Sequence, residues 1–153
     1  MSAEIHLWVD NWGASGGSGF VDQWISTHRE VAKSLGKPLV MEEFGKHVAN
    51  PFDDHSNDAS LREQTFTTVL SALQDSLSTG DVLRGVLYWM WDPSLQSTNS
   101  PGYDRYGGDQ VPITSSLFQN VISPIAAKAA SMKNIAQGCL QPAIAAAGRK
   151  LLG

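Results

Sequence analysis

The run LRGVLYWMW, from Leu83 to Trp91, constrains the fold of this chain more than any other feature. It is almost unbroken apolar sequence of strand length, closed by Gly80 on one side and Pro93 on the other. A strand with one wet face would alternate polar and apolar residues, so this run reads as a parallel strand covered on both faces. Parallel neighbours cannot be joined by a tight turn and need a crossover, usually a helix.

The chain upstream supplies that crossover twice. Glu4 to Val9 (EIHLWV) alternates polar and apolar residues with a β-branched and aromatic bias, which predicts a strand ending at Asp10-Asn11-Trp12-Gly13. A Gly/Ser loop from Gly13 to Gly19 leads to Phe20, Val21, Trp24, Ile25, His28, Val31, Ala32 and Leu35, spaced as one helical face. Ser18 reads as its N-cap and Gly36 as the residue just past its end. Lys37-Pro38 then opens LVMEEF, a second strand with Pro at its start. After a loop rich in Asp, Asn and His, Ser60 and Glu63 have capping-box spacing. Leu61, Phe66, Val69, Leu70, Leu73 and Leu77 form a helical stripe that Gly80 stops. Beyond the third strand a long Pro- and Gly-bearing loop reaches Thr114, the expected N-cap of a helix carrying Leu117, Phe118, Val121, Ile122, Ile125, Ala129 and Met132. Pro124 should kink or restart that helix.

The resulting order, β-α-β-α-β-loop-α, predicts a parallel sheet of right-handed crossovers. A doubly wound domain takes about five such strands and a closed barrel about eight, so three predicted strands complete neither. Residues 1–135 read as one α/β segment and residues 136–153 as an Ala-rich tail, either a short helix or a frayed end.

Composition narrows the function. The chain has 153 residues, 42% hydrophobic and 17% charged, which is ordinary globular composition and able to bury a core. Net charge is -4 and the eleven Lys and Arg residues are scattered, which argues against nucleic acid as a partner. Cys139 is alone, so it forms no internal disulfide and reads as a free thiol. Asp53, Asp54, His55 and Asp58 match no helix-borne ligand spacing and read as a solvated loop, so neither metal nor cofactor is expected. Met1 to Asp10 lacks the basic and apolar regions of a signal peptide, and no apolar run approaches the ~20 residues of a membrane span.

In a parallel barrel the chemistry sits at the C-terminal ends of the strands, here Trp8–Asp10, Glu42–Glu43 and Tyr88–Asp92. Adjacent carboxylates at the close of an apolar strand are costly unless solvated or paired. Because strand side chains alternate, only one of Glu42 and Glu43 is expected to face the barrel axis.

These strand ends also carry a resemblance. KPLVMEEFG (Lys37–Gly45) resembles the nucleophile strand of clan A glycoside hydrolases, and within family 5 it is most similar to the endo-β-1,4-mannanases. HLWVDNWG (His6–Gly13) is similar to their preceding strand, where a His-x-Tyr pair precedes an Asp-x-Trp-Gly turn. GVLYWMW (Gly85–Trp91) resembles their last strand, whose Trp floors the subsite of the reacting sugar. The three motifs span most of Ile5–Met132 and imply a partial TIM (β/α)8 barrel, roughly its last three strand-helix units. They imply that Glu43, the Glu before Phe44-Gly45, is the nucleophile, with Glu42 turned away. His6 would brace the nucleophile or a sugar hydroxyl, and Trp89 would be the sugar platform. Trp8 departs from the pattern, since the family has Tyr there and an indole can donate but not accept. Trp12, Trp91, Tyr88 and Tyr103 are candidates to line the cleft, with packing or a solvent-facing loop as the favoured reading of each.

Retaining glycosidases need a second carboxyl group, ~5 Å across the glycosidic bond. The family carries it in an Asn-Glu pair after its fourth strand, and no such dipeptide occurs here. The resemblance therefore implies a secreted hydrolase of β-mannan-type polysaccharides whose acid/base lies outside this chain. Its implied partner is the N-terminal part of the barrel, and the chain alone is expected to be inactive. The alternative is a noncatalytic sugar-binding or interaction protein on a partial barrel.

Overall fold

The computed structural model describes residues 1–12, 18–91, 97, 99 and 107–131. Strand β1 (Ala3–Trp8) runs into a 3-10 turn (Val9–Trp12). Helix α1 (Ser18–Ser34) crosses to β2 (Leu39–Gly45), and α2 (Asn57–Thr79) crosses to β3 (Leu83–Tyr88). A short 3-10 turn (Gly107–Asp109) precedes α3 (116–131). The three strands are parallel and ordered β1-β2-β3, as the alternation of strands and helices predicted. The tail 136–153, Cys139, Tyr103, Asp92 and Met132 lie outside the described residues.

One face of the sheet carries the core. Leu7, Leu39, Met41, Phe44 and Leu83 point toward Val21 and Ile25 of α1 and Phe66, Val69 and Leu73 of α2. Each such side chain taken from water contributes on the order of 1.5–3 kcal/mol, so this single layer is the main source of stability. Phe66 lies between Phe44 and Tyr88, with ring centroids 4.8 and 5.8 Å away. Burial raises the Tyr88 phenol above its ordinary pKa. Leu117 and Ile122 of α3 close the far end.

The other face is open. Leu87 is 60% exposed, so β3 is covered on one side among the described residues and not on both, as its apolar sequence had predicted. In a closed barrel this face is the interior, which explains an apolar run that otherwise meets water.

The helix ends show where sequence spacing holds and where it slips. At the end of α1, Gly36 (φ 62°) gives its N–H to Lys33 O, and Lys37 N reaches Ala32 O. This paired closure needs the left-handed conformation that glycine adopts freely. Gly80 ends α2 similarly. The predicted cap at Ser60 is corrected: α2 begins a turn earlier, where Ser56 Oγ accepts from Ala59 N at 3.1 Å. Thr114 is displaced by Ser115, whose Oγ accepts from Phe118 N at 3.2 Å. Ser18 is itself helical, so it is not the residue preceding α1. Helix α3 runs through Pro124 without restarting. The turn before it widens over Phe118–Ile122, with Ser123 N–H reaching Phe118 O, and this absorbs the proline's missing donor.

Candidate active site

The strand register is irregular where the two glutamates sit. Ile5 pairs with Met41 and His6 with Glu43, so β2 holds one residue more than β1 across this step. Against β3 the same surplus recurs, because Met41 pairs with Val86 and Phe44 with Tyr88. An extra residue in one strand is a β-bulge, which re-aims side chains. Met41 and Phe44 both point into the core with no exposure, so Glu42 and Glu43 between them both project from the open face. This corrects the expectation that Glu42 faces away. Strict alternation fails because the bulge adds a residue.

Each carboxylate finds a different partner on β1. His6 and Trp8, two residues apart, share a face of their strand. His6 Nε2 lies 3.6 Å from Glu42 Oε2, an ion pair only when the imidazole is protonated. His6 was expected beside Glu43, and a contact with Glu42 instead counts against Glu43 as the nucleophile; it is opposite Glu43 in register, but its side-chain contact is with Glu42, so only the Trp8 bond, among the described residues, singles out Glu43. Trp8 Nε1 donates to Glu43 Oε1 at 2.5 Å, a short charge-assisted bond. The other Glu43 oxygen has no hydrogen bond or ion pair among the described residues.

Trp8 is held by Gly45. A Cβ built there would stand 2.8 Å from Trp8 Cη2 and 2.8 Å from the Trp89 carbonyl oxygen. The indole lies directly on the glycine, and no larger residue fits beneath it.

His6, Trp8, Asn11, Trp12 and Glu43 line one open depression of about 450 Å³ at the C-terminal ends of β1 and β2. Trp12 is 62% exposed there, so of the two readings the sequence left for it, cleft lining and packing or loop, the less favoured one fits its place. Asn11 went unnoticed, because only the turn geometry after β1 brings it to Glu43. Trp89 is the predicted residue that the depression does not include. Its backbone N bonds Phe44 O at 2.9 Å and its side chain is 38% exposed at the end of β3.

Behind the depression stands a second layer that the sequence did not signal. Lys46, 4% exposed, reaches Asp10 at 3.1 Å and Asp58 at 3.3 Å, while His47 N donates to Asp10 Oδ2 at 2.9 Å. Buried Arg62 donates to Gln110 O at 2.9 Å. Burial lowers its pKa to about 10, against the pull of Asp54, Asp58 and Asp109. His47 Nδ1 and Asp109 Oδ1 are 3.0 Å apart. Among the described residues no cluster of His, Cys, Asp and Glu could hold a metal ion, and no helix is long and apolar enough to cross a membrane.

A carboxylate fixed through one oxygen, with its other oxygen toward a depression walled by indoles, can act as a nucleophile or base toward a ligand with an apolar face. Comparison with known proteins gives that chemistry a lineage. The family described as GH family 5 beta-mannosidase-like matches residues 2–112. Mannan endo-1,4-beta-mannosidase F of Aspergillus clavatus is 30% identical over 101 residues, covering 66% of this chain and 19% of that protein. Mannan endo-1,4-beta-mannosidase 5 of Solanum lycopersicum is 31% identical over 107 residues, covering 66% and 25%. The chain thus spans about a fifth to a quarter of these relatives' length. A family 5 mannosidase from Rhizomucor miehei superposes with a TM-score of 0.64 at 18% identity, covering 87% of this chain and 38% of that one. The endo-beta-1,4-mannanase from Thermotoga petrophila gives 0.55 at 20% identity, covering 82% and 25%. The structural likenesses establish the fold, part of an α/β barrel. The sequence match takes in all three strands and both crossover helices, and on that ground the chain belongs to the beta-mannosidase-like family 5 of the glycoside hydrolases.

Proposed function

We propose that this chain supplies the nucleophile, Glu43, of a retaining hydrolase acting on β-1,4-linked mannan-type polysaccharides. The observation that carries the reading is the Trp8–Glu43 hydrogen bond inside the depression at the strand ends. It fixes one carboxylate oxygen and leaves the other to attack. In the first step the free Glu43 oxygen bonds to the anomeric carbon as the glycosidic C–O bond breaks, and the departing oxygen takes a proton from a carboxylic acid. Water then cleaves the glycosyl ester, activated by that same group now acting as base. His6 and Asn11 offer hydrogen bonds to sugar hydroxyls, and Trp12 an exposed indole for a pyranose face.

Glu43 is the one carboxylate lining the depression among the described residues, and we assign the acid/base to the preceding strand-helix units of the barrel, where the family resemblance puts it. Two surfaces suit those units. β1 is an outer strand of the sheet, and α1 presents Val31 and Leu35, 53% and 58% exposed. Without those units the chain alone should hydrolyse mannan negligibly, since general acid assistance contributes typically ~10²–10⁴ in rate. A mannan-type substrate of cell walls would suit an enzyme acting outside the cell.

The test removes the need for an acid. A 2-deoxy-2-fluoro-β-mannosyl fluoride loses fluoride without protonation and leaves a long-lived glycosyl-enzyme. Intact-mass and peptide analysis should find the sugar on Glu43, absent from Glu43→Gln and retained in Glu42→Gln. Label on Glu42, or none, overturns the assignment. The exposed Trp12 favours one second reading, a sugar-binding module without chemistry. That reading predicts mannooligosaccharide quenching of tryptophan fluorescence with no covalent label.

A further inference from the structure

A buried ammonium is an expensive way to stabilise a fold. Taking both charges of an ion pair out of water commonly costs as much as their attraction returns, and an apolar side chain of the same volume often does as well or better. Lys46 sits in that position at 4% exposure, immediately after β2, where a methionine would fill the same space. Its contacts span three elements: Asp10 Oδ1 at 3.1 Å in the turn after β1, Asp58 Oδ1 at 3.3 Å in the first turn of α2, and the His47 carbonyl at 3.2 Å. Asp10 is held twice, because its Oδ2 also accepts from His47 N at 2.9 Å.

The turn that Lys46 grips carries Asn11 and Trp12, which wall the depression opposite the strand bearing Glu43. Two contacts tie Asp10 of that turn to the residues just after β2, the Lys46 ammonium and the His47 N–H, while Val9 of the same turn is in the core and Asn11 and Trp12 are exposed. We propose that Lys46, acting through Asp10, is a positioning residue that sets the Asn11–Trp12 wall at a fixed distance from Glu43, so that it governs how tightly sugar is held. This rests on the reading of Glu43 above. Lys46 takes no part in bond making, since its ammonium faces Asp10 and Asp58 on the core side of the turn.

The consequence separates binding from chemistry. With Lys46→Met, Asp10 and Asp58 stay partly exposed and can be rehydrated, so the fold should survive while the turn loosens. In trapping by 2-deoxy-2-fluoro-β-mannosyl fluoride, the half-saturating concentration should rise about tenfold, the scale of one lost charge-assisted contact. The limiting rate should change little, because the Trp8–Glu43 bond is untouched. Asp10→Asn should act the same way, and Asp58→Asn, which leaves the grip on the turn intact, should not.

An amide and indole ¹H–¹⁵N spectrum gives a readout that needs no activity. In Lys46→Met and Asp10→Asn, the Asn11 and Trp12 resonances should shift or broaden while the Trp8 indole stays in place. If these resonances do not move, or if Asp58→Asn moves them equally, Lys46 is only structural and the proposal falls whatever the labelling shows. If they move as expected but the unaltered chain takes no label on Glu43, the clamp stands as geometry and the reading of Glu43 fails, and with it any role of the clamp in sugar chemistry.

Discussion

The six-membered ring of Trp8 rests on the bare backbone of Gly45, and this contact aims the indole N–H at Glu43. The glycine follows the catalytic candidate by two residues, and its missing side chain is the space the indole occupies. One side of that space is the Trp89 carbonyl, main chain already bonded to β2 through Trp89 N and Phe44 O. It cannot retreat as a flexible side chain would. Gly45→Ala should therefore displace the indole, lose the hydrogen bond to Glu43 and destabilise the chain by about 1–3 kcal/mol, the usual cost of overpacking. Urea unfolding and the Trp8 indole resonance would show it; an alanine variant with native stability and an unmoved resonance contradicts the packing described.

Trp8→Phe keeps a ring on Gly45 and removes the donor. A hydrogen bond to a charged group is worth about 1.5–3 kcal/mol, so trapping of the fluorosugar should slow by about 10- to 100-fold with stability little changed. Trp8→Tyr restores a donor to the same face and should recover part of the rate. Equal rates for all three proteins would show that the indole only packs.

Most of the architecture was legible because it follows from periodicity. Two strand patterns, one unbroken apolar run and the helical faces between them leave little but a parallel sheet with crossovers. What the sequence concealed came from single-residue events. The bulge at Glu42–Glu43 changes no residue type and no spacing, yet it turns both carboxylates to one face and gives His6 to Glu42. Nothing in the sequence marks Lys46 or Arg62 as buried; the fold brings Asp10, Asp58 and Gln110 around them. The depression contained His6, Trp8 and Glu43 because strand ends are where a parallel barrel places its chemistry. It omitted Trp89 and included Asn11 and Trp12 because a turn, not a strand, aims them.

The helix start is a case where spacing misled and a measurement can decide. Ser60 and Glu63 have the pattern of a capping box, but Ser56 makes the cap and Ser60 N already bonds Ser56 O within the helix. Removing a serine cap costs typically about 1 kcal/mol, whereas an exposed serine inside a helix changes stability by less than about 0.5 kcal/mol. Ser56→Ala should lower the urea midpoint and Ser60→Ala should not. The reverse order would return the cap to Ser60.

A final prediction concerns acid. Arg29 of α1 donates to Asp81, in the turn between α2 and β3, and Val82 N donates to the same carboxylate at 2.7 Å, with Lys33 Nζ 3.5 Å away. These contacts tie the first crossover to the start of the last strand. The Arg29 hydrogen bond, then that from Val82, lowers the Asp81 pKa from 3.8 to about 2, against the opposing effect of burial. Because the folded value lies below the unfolded one, the unfolded chain binds more protons between them, and stability rises with pH across that interval. The contribution is fully present above about pH 4 and is lost as pH falls through about 2. Asp81→Asn cannot titrate and accepts from Arg29 only as a neutral amide. It should lower the urea midpoint at pH 7, weaken the dependence of that midpoint on pH between about 4 and about 2, and meet the unaltered protein at the acid end. Parallel curves with a constant gap would show that the charge of Asp81 is not what holds α1 to this turn.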